Sequence, residues 1–388
     1  MNNFYFYNPT KIIFGKGMIS RINREMNHDS KILLLYGLGS IKKNGIYQKV
    51  LNVLMDNHFK YVEFGGIEPN PDYVTCMKAV EFARQNDVDF VLAVGGGSVI
   101  DAAKFAAISY FCEDSDPWQV ITQKAVPPPK ALPIGCVVTA PGTGSQMNNA
   151  LILSRREVKQ KVAFSHILLY PKFSVLEPDF TFSLTPYQTA LGIVDAYVHV
   201  LEQYITYPTY SLLQDRQAEA ILSTLIDVGR PVLERPDQYD LRSTIMWCSS
   251  QALNGALSRG TAVDWATHEI GHLLTTLFDI PHAQTLALVL GGVYRSQFAN
   301  KLEKLSQYGR RVWHLDGSDV EAAQRSIDST EAYFESLGIK TRFSSLGLHA
   351  ADVVREVRGH LEKSDFKNLG ERKNIDVETV CAILASRG

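Results

Sequence analysis

The segment from Phe90 to Lys104 constrains the fold more than any other. Phe90-Val91-Leu92-Ala93-Val94 is apolar at every position and runs straight into Gly95-Gly96-Gly97-Ser98. A strand apolar on both faces must be covered on both faces, which indicates a parallel sheet with helical crossovers. The residues that follow, Val99 to Lys104, with Asp101 among them, read as the opening of a helix. Glycines at such a junction let a diphosphate approach the backbone with no Cβ in the way, and the first helical amides point at its charge. The plainer alternative is a tight turn that needs glycine only for a positive φ. The pattern is not G-x-G-x-x-G, so a standard Rossmann fingerprint is not expected.

Two further apolar runs repeat the arrangement. Lys31 to Tyr36 ends in Gly37-Leu38-Gly39-Ser40, and Ala131 to Val138 leads through Thr139 to Pro141-Gly142-Thr143-Gly144-Ser145. A helical pattern over Tyr73–Gln85 lies between strands. Ligands of such sheets bind at the carboxyl ends of the strands, where these glycine clusters fall. An acid at the first strand end would hold a ribose 2′-hydroxyl and repel a 2′-phosphate. Residues 37–40 offer none, and Lys42 and Lys43 follow, so NADP is favoured over NAD; the alternative is an ordinary solvated loop.

From Thr185 onward the sequence is helical. Helices are expected over 186–204, 211–228, 240–257, 261–276 and 285–297, with Gly229-Arg230-Pro231 as a separator. Thr185 reads as an N-cap and Pro186 as the first helical residue. The boundary falls near Phe182, giving an α/β dinucleotide-binding domain over 1–182 and an all-helical domain over 183–388. A length of 388 residues suits two or three domains. The net charge of −2 excludes an electrostatic footprint for nucleic acid or an anionic membrane. No run is long and apolar enough for a membrane span, and Met1 to Tyr5 shows no secretion signal. Five scattered cysteines without C-x-x-C suit a reducing cytoplasm.

The helical half carries a candidate metal set. Asp195 and His199 are spaced i, i+4 and so share a helix face. His268 and His272 repeat the spacing, and His282 follows. One carboxylate with imidazoles suits Zn²⁺ or Fe²⁺. His268-Glu269-Ile270-Gly271-His272 also matches the H-E-x-x-H of zinc peptidases. A peptidase has no use for a nucleotide loop or for the Asp195/His199 pair.

Taken together, these motifs resemble the iron-containing (group III) alcohol dehydrogenases. The likeness is nearest to their NADPH-dependent butanol dehydrogenase and broad-range aldehyde reductase branch, and it runs along the whole chain. Glu68-Pro69-Asn70-Pro71, Asp264-Trp265-Ala266-Thr267-His268 and His282-Ala283-Gln284-Thr285 add to it. The resemblance implies a dehydroquinate-synthase-like fold, its two domains flanking a cleft. It implies metal ligation by Asp195, His199, His268 and His282, with His272 beside the metal as the candidate proton donor. It implies cofactor contacts from Gly37, Gly39, Ser40, Gly96, Gly97, Ser98, Asp101, Thr139, Thr143, Asn148, Lys161 and Leu184. The substrate would be a small aldehyde or primary alcohol, and the assembly a homodimer paired through Lys11 to Gly15. Trp118, Leu151, Leu184 and Trp265 are candidate pocket residues. A lyase-type relative of the same fold is the alternative. Gln146 stands where the family usually has glutamate, Gly142 where alanine is common, and Gly291-Gly292 replace a Leu-Pro-like pair.

Overall fold

The structure, a computed structural model, describes residues 1–112 and 116–388. The chain divides into two compact units. One comprises residues 7–184 and 237–250, the other residues 1–6, 185–236 and 251–388.

The first unit is built on six parallel strands: β1 (Lys11–Phe14), β2 (Lys31–Gly37), β3 (Lys60–Ile67), β4 (Phe90–Gly96), β5 (Ile134–Ala140) and, after a separate antiparallel pair β6 (Ala150–Arg155) and β7 (Gln160–Ser165), β8 (Phe173–Leu176). Their order is β1-β8-β5-β4-β2-β3, every neighbour parallel. Alternation sends successive side chains to opposite faces. Leu33, Leu35, Val91 and Ala93 pack on one side with the helices Tyr73–Gln85 and Gly97–Ser109. Ile32, Leu34, Leu92 and Val94 pack on the other with the helix Ile46–Asp56. Both faces are buried, which accounts for the uninterrupted apolar runs. Because β5, β4 and β2 are adjacent and parallel, the three glycine loops lie at one end of the sheet. The helix Tyr239–Ala252 lends most of its length to this unit: Met246 joins the sheet's core, and Trp247 meets Phe14 edge-on at 6.0 Å.

The second unit is helical. Its first long helix, Pro186–Tyr204, opens with the expected cap: Thr185 Oγ1 accepts from the Gln188 amide, and Gln188 Oε1 accepts from the Thr185 amide. The expected break at Gly229-Arg230-Pro231 does not occur, since a single helix spans Leu212–Glu234. Proline removes one amide donor, yet Leu225 and Val232 on either side stay buried. Gly229 lets the helix approach Tyr333, whose hydroxyl would stand 2.2 Å from a Cβ there. Packing therefore outweighs the local breaker. Two other helices are shorter than expected. The helix after Tyr239 ends at Ala252, where Asn254 Oδ1 turns the chain by accepting from the Ala256 amide. The next starts only at Ala266, whose amide bonds Asp264 Oδ1. The last of the five expected helices begins earlier, at His282.

One buried carboxylate ties four segments of the helical unit together. Glu331 accepts from Arg295 at 2.8 and 2.9 Å, from Arg342 at 3.0 and 3.1 Å, and from Arg387. Arg387 also donates to the carbonyls of Leu288 and Thr341. Burial pushes the Glu331 carboxyl up, but bonds from Arg295 and Arg342 and the charge of Arg387 outweigh it and hold it down at about 2. A carboxyl depressed on folding adds stability above its ordinary 4.5, and that stability is lost as pH falls toward 2. Glu331→Gln is expected to cost about 3 kcal/mol at neutral pH. Urea titrations of parent and variant should converge across the same acid window.

Candidate functional site

The glycines where β4 runs straight into the helix Gly97–Ser109 are required by close packing. None of Gly95, Gly96 and Gly97 has a positive φ, so the turn-only reading does not explain them. A Cβ on Gly95 would meet Val99 at 2.5 Å, and one on Gly97 would meet Thr143 at 2.4 Å. The Gly97–Ser109 helix thus starts directly against the loop after β5. Gly96, the N-cap, supplies no side-chain cap, so the first amides of a 13-residue helix are left to an outside acceptor.

A buried polar network fixes these two loops to each other. Lys104 Nζ donates to Ser145 Oγ at 2.8 Å, Asn148 Oδ1 at 2.9 Å and the Ala150 carbonyl at 2.6 Å. Ser145 Oγ donates to Asp101 Oδ1 at 2.6 Å, and Asp101 Oδ2 accepts from the Ile152 amide. Burial lowers the Lys104 ammonium to about 8 and raises the Asp101 carboxyl. Asp101 and Asn148 therefore aim into the protein's own network, a scaffold beneath the loops. Gln146, the departure noted above, is likewise buried: its amide donates to Ser250 Oγ at 2.8 Å.

At the end of β2, Gly39 has φ +103° and caps the short helix Ser40–Lys43. Ser40 is exposed and Gly37 half-buried. Lys42 lies over the rings of Tyr36 and Tyr47, at 4.9 and 4.7 Å, while Lys43 is exposed. Ser98, Thr143 and Leu184 are half-buried, Thr139 is buried near the end of β5, and Lys161 donates to Asn70 Oδ1 at 2.9 Å. Of the candidate pocket residues, Trp118 and Leu151 belong to the sheet's core.

In the helical unit three helices bring the metal candidates together. Asp195 and His199 come from Pro186–Tyr204, His268 and His272 from Ala266–Phe278, and His282 from His282–Ser296. Asp195, His268 and His282 each offer a donor atom within 4.8 Å of the others. His199 lies beside this trio: its Nδ1 is 3.6 Å from Asp195 Oδ1, and its ring stacks on His268 at 4.6 Å. His282 Nε2 lies 3.9 Å from the same carboxylate oxygen. Four ligands at about 2.0–2.2 Å from one ion would stand roughly 3.4 Å apart, so these spacings fit. His199 Nδ1 is buried and makes no hydrogen bond. Burial, against the pull of Asp195, lowers the His199 imidazole to about 4, so it is neutral and able to coordinate at physiological pH. His272 is outside the trio, its ring 5.1 Å from that of His282 and 6.4 Å from that of His268. The peptidase reading requires His268 and His272 to share an ion, and that is not the grouping that forms.

Two neighbours of this cluster were not singled out from the sequence as parts of the centre. Trp265 stands edge-on to His268 at 5.5 Å and to His199 at 6.4 Å. Glu202 carries a carboxylate in contact with His268 Nδ1. It follows Asp195 by seven residues, so the i, i+4, i+7 stripe was the available signal.

Comparisons with known proteins show which family this chain is similar to. A family model described as iron-containing alcohol dehydrogenase matches residues 9–178, and one for the C-terminal part of the Fe-containing alcohol dehydrogenase family matches residues 189–387. The NADPH-dependent aldehyde reductase YqhD of Escherichia coli (strain K12) is 43% identical over 380 residues, 97% of each chain. The NADH-dependent butanol dehydrogenase A of Clostridium acetobutylicum is 36% identical over 388 residues, 99% of each chain. The crystal structure of E. coli YqhD has a TM-score of 0.97 at 42% identity, covering 100% of this chain and 99% of that one. The NADH-dependent butanol dehydrogenase A of Thermotoga maritima has a TM-score of 0.95 at 33% identity, with the same coverage.

The contact between Gly97 and Thr143 can be tested directly. Gly97→Ala should force the two loops apart and lower the unfolding free energy by about 1–3 kcal/mol. Thr143→Ala in the same chain should restore part of that loss in a urea titration.

Proposed function

The chain belongs to the iron-containing alcohol dehydrogenase family, and on that premise we propose that it reduces aldehydes to primary alcohols with NADPH in a metal-dependent hydride transfer. The observation that carries this reading is the meeting of Asp195, His199, His268 and His282 from three separate helices. These four would hold Fe²⁺ or Zn²⁺, to which one oxygen and three nitrogens are suited alike. When bound, such an ion polarises the carbonyl and stabilises the charge that develops on its oxygen as hydride arrives.

The remaining tasks fall to the chain itself. Gly96, Gly97 and Ser98 present the first amides of their helix to the diphosphate. Gly37, Gly39 and Ser40 sit where the ribose 2′-phosphate is expected, with no acid among residues 37–40 to repel it. Thr139, Thr143, Lys161 and Leu184 complete the cofactor contacts, while Asp101 and Asn148 act by holding the loops in place. His272, one ring beyond the donor cluster, supplies the proton that completes the alcohol, since imidazole exchanges protons near neutral pH. Trp265 packs edge-on against His199 and His268. The lyase alternative, with NAD as a transient oxidant, is disfavoured by the acid-free end of β2.

We further propose a homodimer. β1 is an outer strand, bonded on one side to β8, and Ile12, Phe14 and Trp247 line an apolar groove of about 540 Å³ beside it. A second copy pairing along β1 would cover both. No helix among the described residues is long and apolar enough to cross a membrane. The five buried, unbridged cysteines are in keeping with a cytoplasmic enzyme.

Butanal reduction followed by loss of NADPH absorbance tests the central reading. NADPH should exceed NADH in kcat/KM by roughly tenfold or more, about 1.4 kcal/mol of discrimination. Asp195→Ala and His268→Ala should each lose the metal and the activity together while binding NADPH as the parent does. Full turnover without metal would contradict the proposal. His272→Ala should lower kcat by about 100-fold and flatten its pH profile, whereas an unchanged profile would pass the proton to solvent.

A further inference from the structure

We propose that Glu202 is a positioning residue for the metal centre, one carboxylate that both seats the helix carrying His268 and fixes that histidine's ring for coordination. The proposal rests on the metal reading above and concerns a residue outside the ligand set.

Glu202 lies two turns after Asp195 on the same helix, so Asp195, His199 and Glu202 form one stripe. It is 2% exposed. Its two oxygens have different tasks. Oε1 accepts from the amides of Thr267 at 2.7 Å and His268 at 3.3 Å, in the first turn of Ala266–Phe278. That end has no side-chain cap from its own N-cap residue, so a neighbouring helix supplies the acceptor. Oε2 meets Nδ1 of the His268 ring. The Glu202 carbonyl also accepts from the Asp264 amide at 2.8 Å, and Asp264 is anchored to Lys301 at 2.7 Å. The segment before His268 is thus held from both ends of one residue.

The chemistry follows from what a carboxylate can do. Ionised, it only accepts, so the ring nitrogen facing it would be Nδ1–H and the lone pair would fall on Nε2. A carboxylate on the far nitrogen fixes the ring and strengthens it as a ligand. A helix cap alone would need only one oxygen. The second, in contact with the ring, marks a further role. Glutamine cannot serve both, because its single oxygen must choose between the amides and the ring, and its NH₂ group faces a donor at the other.

The test uses the full chain, stripped of metal and titrated with Zn²⁺ against a chromophoric chelator. Glu202→Gln and the shorter, still charged Glu202→Asp are compared with the parent. Both are expected to raise the Kd for Zn²⁺ by about 10- to 100-fold and to alter the visible spectrum of the Co²⁺ form. NADPH affinity, read by fluorescence, should stay within about twofold, because the nucleotide loops belong to the other unit. If both variants bind Zn²⁺ as tightly as the parent, whatever happens to Tm, Glu202 is only a cap and the proposal is overturned. A parent that takes up no Zn²⁺ would overturn the metal reading itself, and this proposal with it.

Discussion

Three imidazoles and a carboxylate converge from three helices inside the helical unit. Donor atoms brought out of water are costly unless something shared satisfies them. A divalent cation would do so for Asp195, His199, His268 and His282 at once. The helices around them are arranged accordingly: two residues come from one helix, one from a second, and one from the start of a third. The salt-bridged Glu331 braces the same unit, and the Asp264–Lys301 pair anchors the segment that leads into His268.

The nucleotide loops solve a different problem. As proposed, they would present bare backbone to a phosphate without collapsing. Lys104 and Asp101, buried beneath them, spend their polarity on Ser145, Asn148 and neighbouring backbone groups. The glycines above are small because Thr143 and Val99 occupy the space a side chain would need.

Much of this was legible in the sequence because it is local. Apolar runs ending in glycine marked β2 and β4, Thr185-Pro186 marked a helix start, and the i, i+4 spacing picked out Asp195 with His199. What escaped depends on partners distant in the chain. Pro231 reads as a breaker until Tyr333 and the buried stripe around it are known. Residues 237–250 read as part of the helical half, yet Met246 packs in the core of the sheet. Glu202 resembles any helical glutamate until the start of the Ala266–Phe278 helix is laid against it. Trp118 and Leu151 looked as suited to a pocket as to a core, and burial decided for the core.

The account stands or falls on where a cation binds. Anomalous X-ray diffraction at the iron and zinc edges, on crystals of protein purified without chelators, measures this directly. The account predicts one ion per chain, with Asp195, His199, His268 and His282 at about 2.0–2.2 Å from it. An ion coordinated without Asp195 and His199, or no ion among these four side chains, would contradict it.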